Sequence, residues 1–372
     1  MKTILFYAAN GVGLGHLRRT QLISEKLKKE KVEIILATSS LLPHRLGYFF
    51  NQLVRLIPLN DELMNNRSRM SFVRESNKMS MVKAVNKFKP DIIVSDIYLS
   101  NFSFYPLENI LNEFSGKSAF IWRLSLSNPI LELRKNISKL SFFNKIILPH
   151  SKDEILFFSP SFLKEIEKNS RFEIVGPIFK ENNKKNFPTL KKKYDLSSKD
   201  FVLTVSFGAG GRLKGYCDSP DKIVKSFLNI YPELKKKIPN LKIILSTGPY
   251  FKKKFNKFYG MKFVEFEENL SELFSLSDLV ISSSGYNTCN EIIQAKIPSI
   301  LTPLKRGGDE QFKRAEYLKS KNICEILNEV SSNNLLKMIL KTRKELDKMK
   351  KNFNKFSFQN GDRKTAKLIL DL

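Results

Sequence analysis

The residues best equipped for chemistry in this sequence lie in glycine turns. The first turn is Asn10-Gly11-Val12-Gly13-Leu14-Gly15-His16, between the apolar run Ile4 to Ala9 and a helical pattern. Gly11, Gly13 and Gly15 let backbone approach a ligand closely, and the start of the helix aims N–H groups at it. His16 at that helix start is expected to be neutral, because a helix N-terminus disfavours the imidazolium, and a neutral imidazole can serve as a general base. The competing reading is that His16 merely caps or packs against the loop, but a lone histidine among glycines has little to pack on. The second candidate is Asp96, which ends Pro90-Asp91-Ile92-Ile93-Val94-Ser95-Asp96. A carboxylate at the carboxyl end of a parallel strand points to where ligands bind. It can orient His16, contact an acceptor, act as base itself, or only cap the next helix.

Further turns lie in the second half. Ser206-Phe207-Gly208-Ala209-Gly210-Gly211-Arg212 is another strand running into glycines, here with a basic residue suited to phosphate or sugar. The richest constellation is Ser282-Ser283-Ser284-Gly285-Tyr286-Asn287-Thr288-Cys289-Asn290-Glu291. A strand that breaks at Gly285 into a helix would hold a diphosphate on N–H groups near Gly285, Asn287 and Thr288. Glu291 stands one turn further on the face of Thr288, where two acceptor oxygens can grip a ribose diol. Downstream, Pro303-Leu304-Lys305-Arg306-Gly307-Gly308-Asp309-Glu310-Gln311 offers Asp309, Glu310 and Gln311 to sugar hydroxyls.

The elements that must position these residues alternate between short β-branched runs and longer helical patterns, the signature of βαβ units and a parallel sheet. Strands are expected at Thr3–Ala8, Val32–Thr38, Leu53–Pro58, Asp91–Ser95, Ser118–Arg123, Lys145–Pro149 and Phe172–Val175, with helices at Leu17–Lys29 and around Met79–Lys89. The polar, Lys- and Asn-rich stretch 180–200 reads as a linker. The pattern restarts with strands Phe201–Phe207, Lys242–Ser246, Lys262–Phe266, Asp278–Ser282 and Ser299–Thr302. Helices are expected at Asp221–Lys236, Thr288–Ala295, Gln311–Ser320 and Asn333 to about Lys355. The expected domains are therefore 1–179 and 201–372, with the last helix free to pack back on the first.

At 372 residues, with 42% hydrophobic and 27% charged, the chain reads as two folded domains rather than a disordered protein. Three scattered cysteines and three scattered histidines (His16, His44, His150) form no disulfide framework and no metal-ligand spacing, so no metal is expected. No long apolar segment or signal-peptide core is present, which makes a cytoplasmic protein the expectation. The net charge of +27 invites a nucleic-acid reading. Against it, the lysines are spread along the whole chain without any nucleic-acid motif, so solvated faces are the better account. Attraction to an anionic membrane surface stays open, at about 1 kcal/mol per well-placed Lys or Arg. Dinucleotide binding fits poorly, because the third glycine of that fingerprint would fall at His16 and the second strand ends Ala37-Thr38-Ser39-Ser40 with no acidic residue.

At these residues the chain resembles the GT-B glycosyltransferases of the family 28 type, a group that includes the peptidoglycan N-acetylglucosaminyl transferase with its lipid-linked acceptor. It is similar above all to a branch that opens with Gly-x-Gly-Leu-Gly-His-Leu-Arg-Arg, here Gly11 to Arg19. The resemblance is strongest from Glu267 to Leu318. It implies an α/β GT-B fold, two Rossmann-like domains with a cleft between them, the first on the acceptor side and the second binding a nucleotide sugar. By this likeness Glu291 binds the donor ribose, and Gly285, Asn287 and Thr288 bind the diphosphate. Phe266 flanks the base, Asp309 and Gln311 contact the donor sugar, and Gly15 and His16 lie beside the reaction centre. Ala295-Lys296 departs from the Ala-Gly of many relatives.

The implied function is metal-independent and cofactor-free: a sugar moves from a nucleoside-diphosphate donor, expected to be a UDP-sugar, to a hydroxyl of an unassigned glycan, lipid or small-molecule acceptor, with inversion. Charge on the leaving diphosphate is expected to be offset by helix dipoles and cations such as Arg212. A GT-B-like hydrolase of nucleotide sugars shares the N-terminal pattern. A basic membrane- or nucleic-acid-binding module would explain the charge but leave Glu291 and the glycine turns without purpose.

Overall fold

The computed structural model describes residues 1–9, 13–41, 43, 47–58, 66–125, 128–211, 220–251, 261–305, 310–356 and 359–372, with backbone only at 101 and 102. Two compact units divide the chain: Met1–Phe179 with Phe358–Leu372, and Lys180–Ser357.

The first unit runs β1 (Lys2–Ala8), α1 (Gly15–Leu27), β2 (Val32–Thr38), β3 (Gln52–Arg55), α2 (Arg67–Phe88), β4 (Ile92–Ser95), α3 (Asn101–Glu113), β5 (Lys117–Ile121), α4 (Pro129–Leu140), β6 (Lys145–Leu148), α5 (Lys152–Phe158), α6 (Pro160–Ile166) and β7 (Phe172–Ile174). Its seven strands are parallel in the order β3-β2-β1-β4-β5-β6-β7. Ile4 of β1 stands opposite Ile34 on one side and Ile92 on the other. Strands covered on both faces need continuous apolar runs, and Ile92–Ser95 is buried at all four positions. Aromatic rings fill the space under the helices: Phe120 stacks on Phe143 at 5.1 Å and Trp122 meets Phe162 edge-on at 5.8 Å. Strand order turns back between β1 and β4, so the loops leaving these two strands diverge at the carboxyl edge.

The C-terminal helix Asp362–Leu370 belongs to this unit. Buried Asp362 pairs with Lys26 of α1 at 3.1 Å, and the Asn360 amide donates to Phe179 O at 2.8 Å. Gly361 lies so close to the carbonyls of Val175 and Gly176 that a Cβ would not fit.

The second unit runs α7 (Phe187–Tyr194), β8 (Phe201–Ser206), α8 (Asp221–Lys237), β9 (Leu241–Ser246), β10 (Met261–Val264), α9 (Leu270–Ser275), β11 (Leu279–Ser282), α10 (Tyr286–Ala295), β12 (Ser299–Leu301), α11 (Gln311–Ser320), β13 (Cys324–Ile326) and α12 (Ser332–Asn352). Its parallel sheet has the order β10-β9-β8-β11-β12-β13 and turns back between β8 and β11. The stretch expected as a linker, 180–200, is instead part of this unit. Its lysines face water while Leu190 and Tyr194 of α7 pack on Val202, Ile244 and Leu273, so a polar composition hides a helix with one buried face. The long helix α2 starts at Arg67, twelve residues before the expected Met79, because only Val73, Asn77, Met81 and Ala84 are buried along it.

Candidate functional site

In the first unit the loops after β1 and β4 carry His16 and Asp96 to the point where strand order turns back. His16 is the second residue of α1, and Asp96 continues the ladder past β4 through its N–H to Tyr7 O at 2.9 Å. The two side chains meet: His16 Nδ1 lies 2.6 Å from Asp96 Oδ1. Arg19, three residues along α1, grips the same carboxylate at both oxygens, Nε to Oδ2 at 2.9 Å and Nη2 to Oδ1 at 2.6 Å. Its Nη2 is 3.0 Å from His16 Nδ1, so two donors converge on one oxygen. A carboxylate can only accept at that distance, which puts the ring proton on Nδ1 and leaves the lone pair on Nε2. All three side chains are buried, Asp96 and Arg19 at 1% exposure and His16 at 7%.

Burial lowers the His16 pKa from its ordinary value; Asp96 pulls it up, while the charges of Arg19 and Arg123 push it down. Burial also works to raise Asp96, but Arg19 first and His16 second outweigh it, so the carboxyl ionises below its ordinary range. The His16 ring packs edge-on against Tyr98 at 5.0 Å, and the Tyr98 hydroxyl accepts a hydrogen bond from Arg123. Gly13 has open space where a Cβ would stand, Gly15 opens α1, and Gly11 lies outside the described residues. His150 is built differently. It is fully buried, with Nδ1 on Glu154 at 2.8 Å and Nε2 accepting from Leu124 N at 3.1 Å, so it braces the β6–α5 turn.

In the second unit the loops after β8 and β11 lie at the equivalent position. Gly208 and Gly210 both have positive φ, 63° and 69°. A Cβ at Gly208 would meet open space, whereas one at Gly210 would run into the Thr247 carbonyl and the Phe251 side chain. Gly208 thus leaves room at the carboxyl edge, while Gly210 serves the contact with the Gly248 turn; Gly211 is buried beside it. After β11, Gly285 caps α10. Ser284 is fixed from two sides: its carbonyl accepts from the buried Arg314 Nη1 at 2.8 Å, and its hydroxyl donates to Gln311 O at 2.7 Å. The Gln311 amide oxygen accepts from Leu304 N at 3.0 Å. Thr288 Oγ1 and Gln311 Nε2 stand 3.9 and 4.0 Å from where a Gly285 Cβ would be, so Gly285, Thr288 and Gln311 gather at the helix start. Asn287 and Glu291 are half-buried on the same helix, and Glu310, also half-buried, precedes α11. Phe266 is half-buried just beyond β10, two strands away from β8. Arg212 and Asp309 lie outside the described residues.

Sequence reasoning assigned no role to Arg19, Tyr98, Arg123 or Arg314. For Arg19 a signal existed: it lies three residues from His16, on one helical face. Among the described residues no cluster of three or more His, Cys, Asp or Glu side chains is placed to hold a metal ion.

Residues 219–369 match the glycosyltransferase family 28 C-terminal domain. The chain is 23% identical over 303 residues to the UDP-N-acetylglucosamine--N-acetylmuramyl-(pentapeptide) pyrophosphoryl-undecaprenol N-acetylglucosamine transferase of Sulfurihydrogenibium sp., covering 80% of this chain and 77% of that one. The transferase of the same name from Borreliella burgdorferi is 32% identical over 109 residues, 28% of this chain and 30% of the relative. The fold is similar to that of Acinetobacter baumannii MurG, with a TM-score of 0.61 at 13% identity over the whole of both chains. The chain is thus a glycosyltransferase with a family 28 C-terminal domain over residues 219–369, built on the twin parallel α/β units of the GT-B fold.

Proposed function

We propose that this glycosyltransferase moves N-acetylglucosamine from a UDP donor to a hydroxyl of a lipid-linked glycan, with inversion and without a metal. The observation that carries the reading is the buried His16–Asp96 pair at 2.6 Å, with the basic lone pair on Nε2. Both Asp96 oxygens are engaged by Arg19 and His16, which makes Asp96 the orienting group and His16 the base. His16 Nε2 takes the acceptor proton as the hydroxyl oxygen attacks the anomeric carbon, and the bond from that carbon to the diphosphate breaks on the opposite face. The departing UDP carries away the bond pair, and His16 returns its proton to solvent. The Gly285–Thr288 helix start meets the diphosphate, with Glu291 on the ribose. Phe266 flanks the base, and Asp309, Glu310 and Gln311 contact the sugar.

The donor and acceptor are drawn from the names of the relatives. Among the described residues no helix is long and apolar enough to cross a membrane. Exposed Leu131 and Ile137 on α4 flank exposed Arg134 and Lys135, a combination suited to peripheral contact with an anionic membrane that presents a lipid-linked acceptor.

The test is UDP release from a panel of nucleotide sugars, with and without lipid-linked acceptor and with EDTA. Release from UDP-N-acetylglucosamine that requires the acceptor and survives EDTA is expected. Equal release without acceptor would make the enzyme a hydrolase. His16→Ala should lower turnover by ~10²–10⁴ while UDP affinity changes little; near-normal turnover would remove His16 as the base.

A further inference from the structure

We propose that Arg19 is a positioning residue that decides where the reaction's proton rests, by clamping Asp96 as an anion and opposing charge on His16. The proposal rests on the reading of His16 as base. It starts from the geometry of a buried fork. The Arg19 head is 1% exposed, and its Nε and Nη2 donate to the two Asp96 oxygens at 2.9 and 2.6 Å. A carboxylate held this way gives up its anionic form only at great cost, so it orients His16 and does not compete for the acceptor proton. The same Nη2 lies 3.0 Å from His16 Nδ1, on the ring's donor side. Because both donors share Asp96 Oδ1, the guanidinium charge stands directly against the ring.

The consequence is electrostatic. With His16 neutral, Asp96 and Arg19 sum to zero, and the trio becomes +1 when His16 takes a proton. Without Arg19 the same event would run from −1 to zero, and the imidazolium would be stabilised. Arg19 therefore adds to burial in keeping His16 unprotonated at neutral pH and in letting it shed its proton after each turnover. The groups that act on His16 are Asp96 beyond β4, Arg19 on α1, Arg123 beyond β5 and the edge of the Tyr98 ring. Arg123 pushes in the same direction as Arg19 but does not hold the carboxylate fork.

The experiment is titration of the His16 ring nitrogens by NMR, assigned with His16→Ala, beside the acid limb of the kcat profile. In the wild type His16 should titrate below 6.5 with the proton on Nδ1. Arg19→Met should move the titration and the acid limb upward together, by about one to two pH units, so that activity missing at neutral pH returns in alkali. Arg19→Lys keeps the charge and should leave the limb near its wild-type place. Arg19→Met strands a buried carboxylate and can fail to fold. The double variant Asp96→Asn/Arg19→Met strands neither charge, and beside Asp96→Asn, which keeps the arginine, His16 should titrate higher in it by about one unit. An unmoved titration in both comparisons, or a wild-type proton on Nε2, would overturn the role of Arg19. An unmoved titration would leave the base assignment standing, which the His16→Ala turnover tests separately, whereas a wild-type proton on Nε2 would remove the basic lone pair and overturn both.

Discussion

Replacing Asp96 by Asn tests the His16 site most directly. The side chain keeps its shape and loses its charge. Carboxylate and imidazole meet at 2.6 Å, which puts their charge centres about 4 Å apart; at an effective dielectric near 20, Coulomb's law gives about 4 kcal/mol. The imidazolium that forms in the transition state loses most of that, say about 3 kcal/mol, or ~10² in kcat. A second loss follows from the amide. If its NH2 turns to His16, Nδ1 must accept, the ring proton moves to Nε2, and the basic lone pair is gone. The combined loss is therefore expected between ~10² and ~10⁴. Stability must fall too, because Arg19 stays buried without an anion. Removing one partner of such a pair costs about 3–5 kcal/mol, on the order of 10 °C in Tm for a unit of this size. The assay pairs kcat at saturating donor with calorimetry of unfolding and of UDP binding. Folded Asp96→Asn protein with turnover within about threefold of wild type would refute both the tautomer argument and the base assignment.

Three further outcomes follow from the geometry. Gly208→Ala meets only the backbone penalty of positive φ, about 1–2 kcal/mol, whereas Gly210→Ala adds a collision with Thr247 and Phe251 and should destabilise the second unit clearly more; equal melting shifts would contradict the packing described. Glu291→Ala should weaken UDP binding by about 1.5–3 kcal/mol in calorimetry, and unchanged affinity in folded protein would end the ribose assignment. His16 is held below its ordinary 6.5, so the unfolded chain binds a proton that the folded unit refuses. Its stability contribution is full above about pH 6.5 and is lost as pH falls through the folded value, and Asp96 adds a loss of the same sign at more acid pH. Between pH 6.5 and 5, Tm should therefore fall less in His16→Gln than in wild type; parallel curves would show that His16 is not held neutral.

The fold was legible wherever burial on both faces left continuous β-branched runs. Ile92–Ser95 and Leu279–Ser282 are such runs, and both strands lie within a residue or two of the expected positions. The three-residue strand β13 escaped, because Cys324-Glu325-Ile326 is too short to carry a period and Glu325 faces two lysines in solvent. The helix α7 escaped because four of its eight residues are Lys or Pro, and only Leu190 and Tyr194 mark the buried face. At the site, His16 and Asp96 were visible as residue types at strand ends. Their contact was not, since 80 residues separate them and only strand order brings β4 beside β1. Arg19 had a signal in its spacing from His16, but its type masked it, because arginine on a helix reads as solvated unless a buried anion faces it.

The two units share a topology yet carry different groups at the same place, and the chemistry assigned to each accounts for the difference. Where strand order turns back, neighbouring loops diverge and leave a crevice at the carboxyl edge. In the first unit that crevice is furnished by side chains. On the proposed chemistry a proton must move there, so a base is needed, and the base must stay neutral in a poorly hydrated setting. A buried carboxylate alone would drive it to the imidazolium, and a buried arginine alone would carry an unpaired charge. Together they orient the ring at no net charge, which is why His16, Asp96 and Arg19 form one unit rather than a simple pair. In the second unit the crevice is furnished by backbone. On the proposed chemistry a diphosphate arrives and leaves with every turnover, so it is better met by helix N–H groups than by a buried cation that would hold the product. Ser283, Ser284 and Gly285 keep bulk away from that helix start, and Arg314 supports it through the Ser284 carbonyl and over the Tyr286 ring.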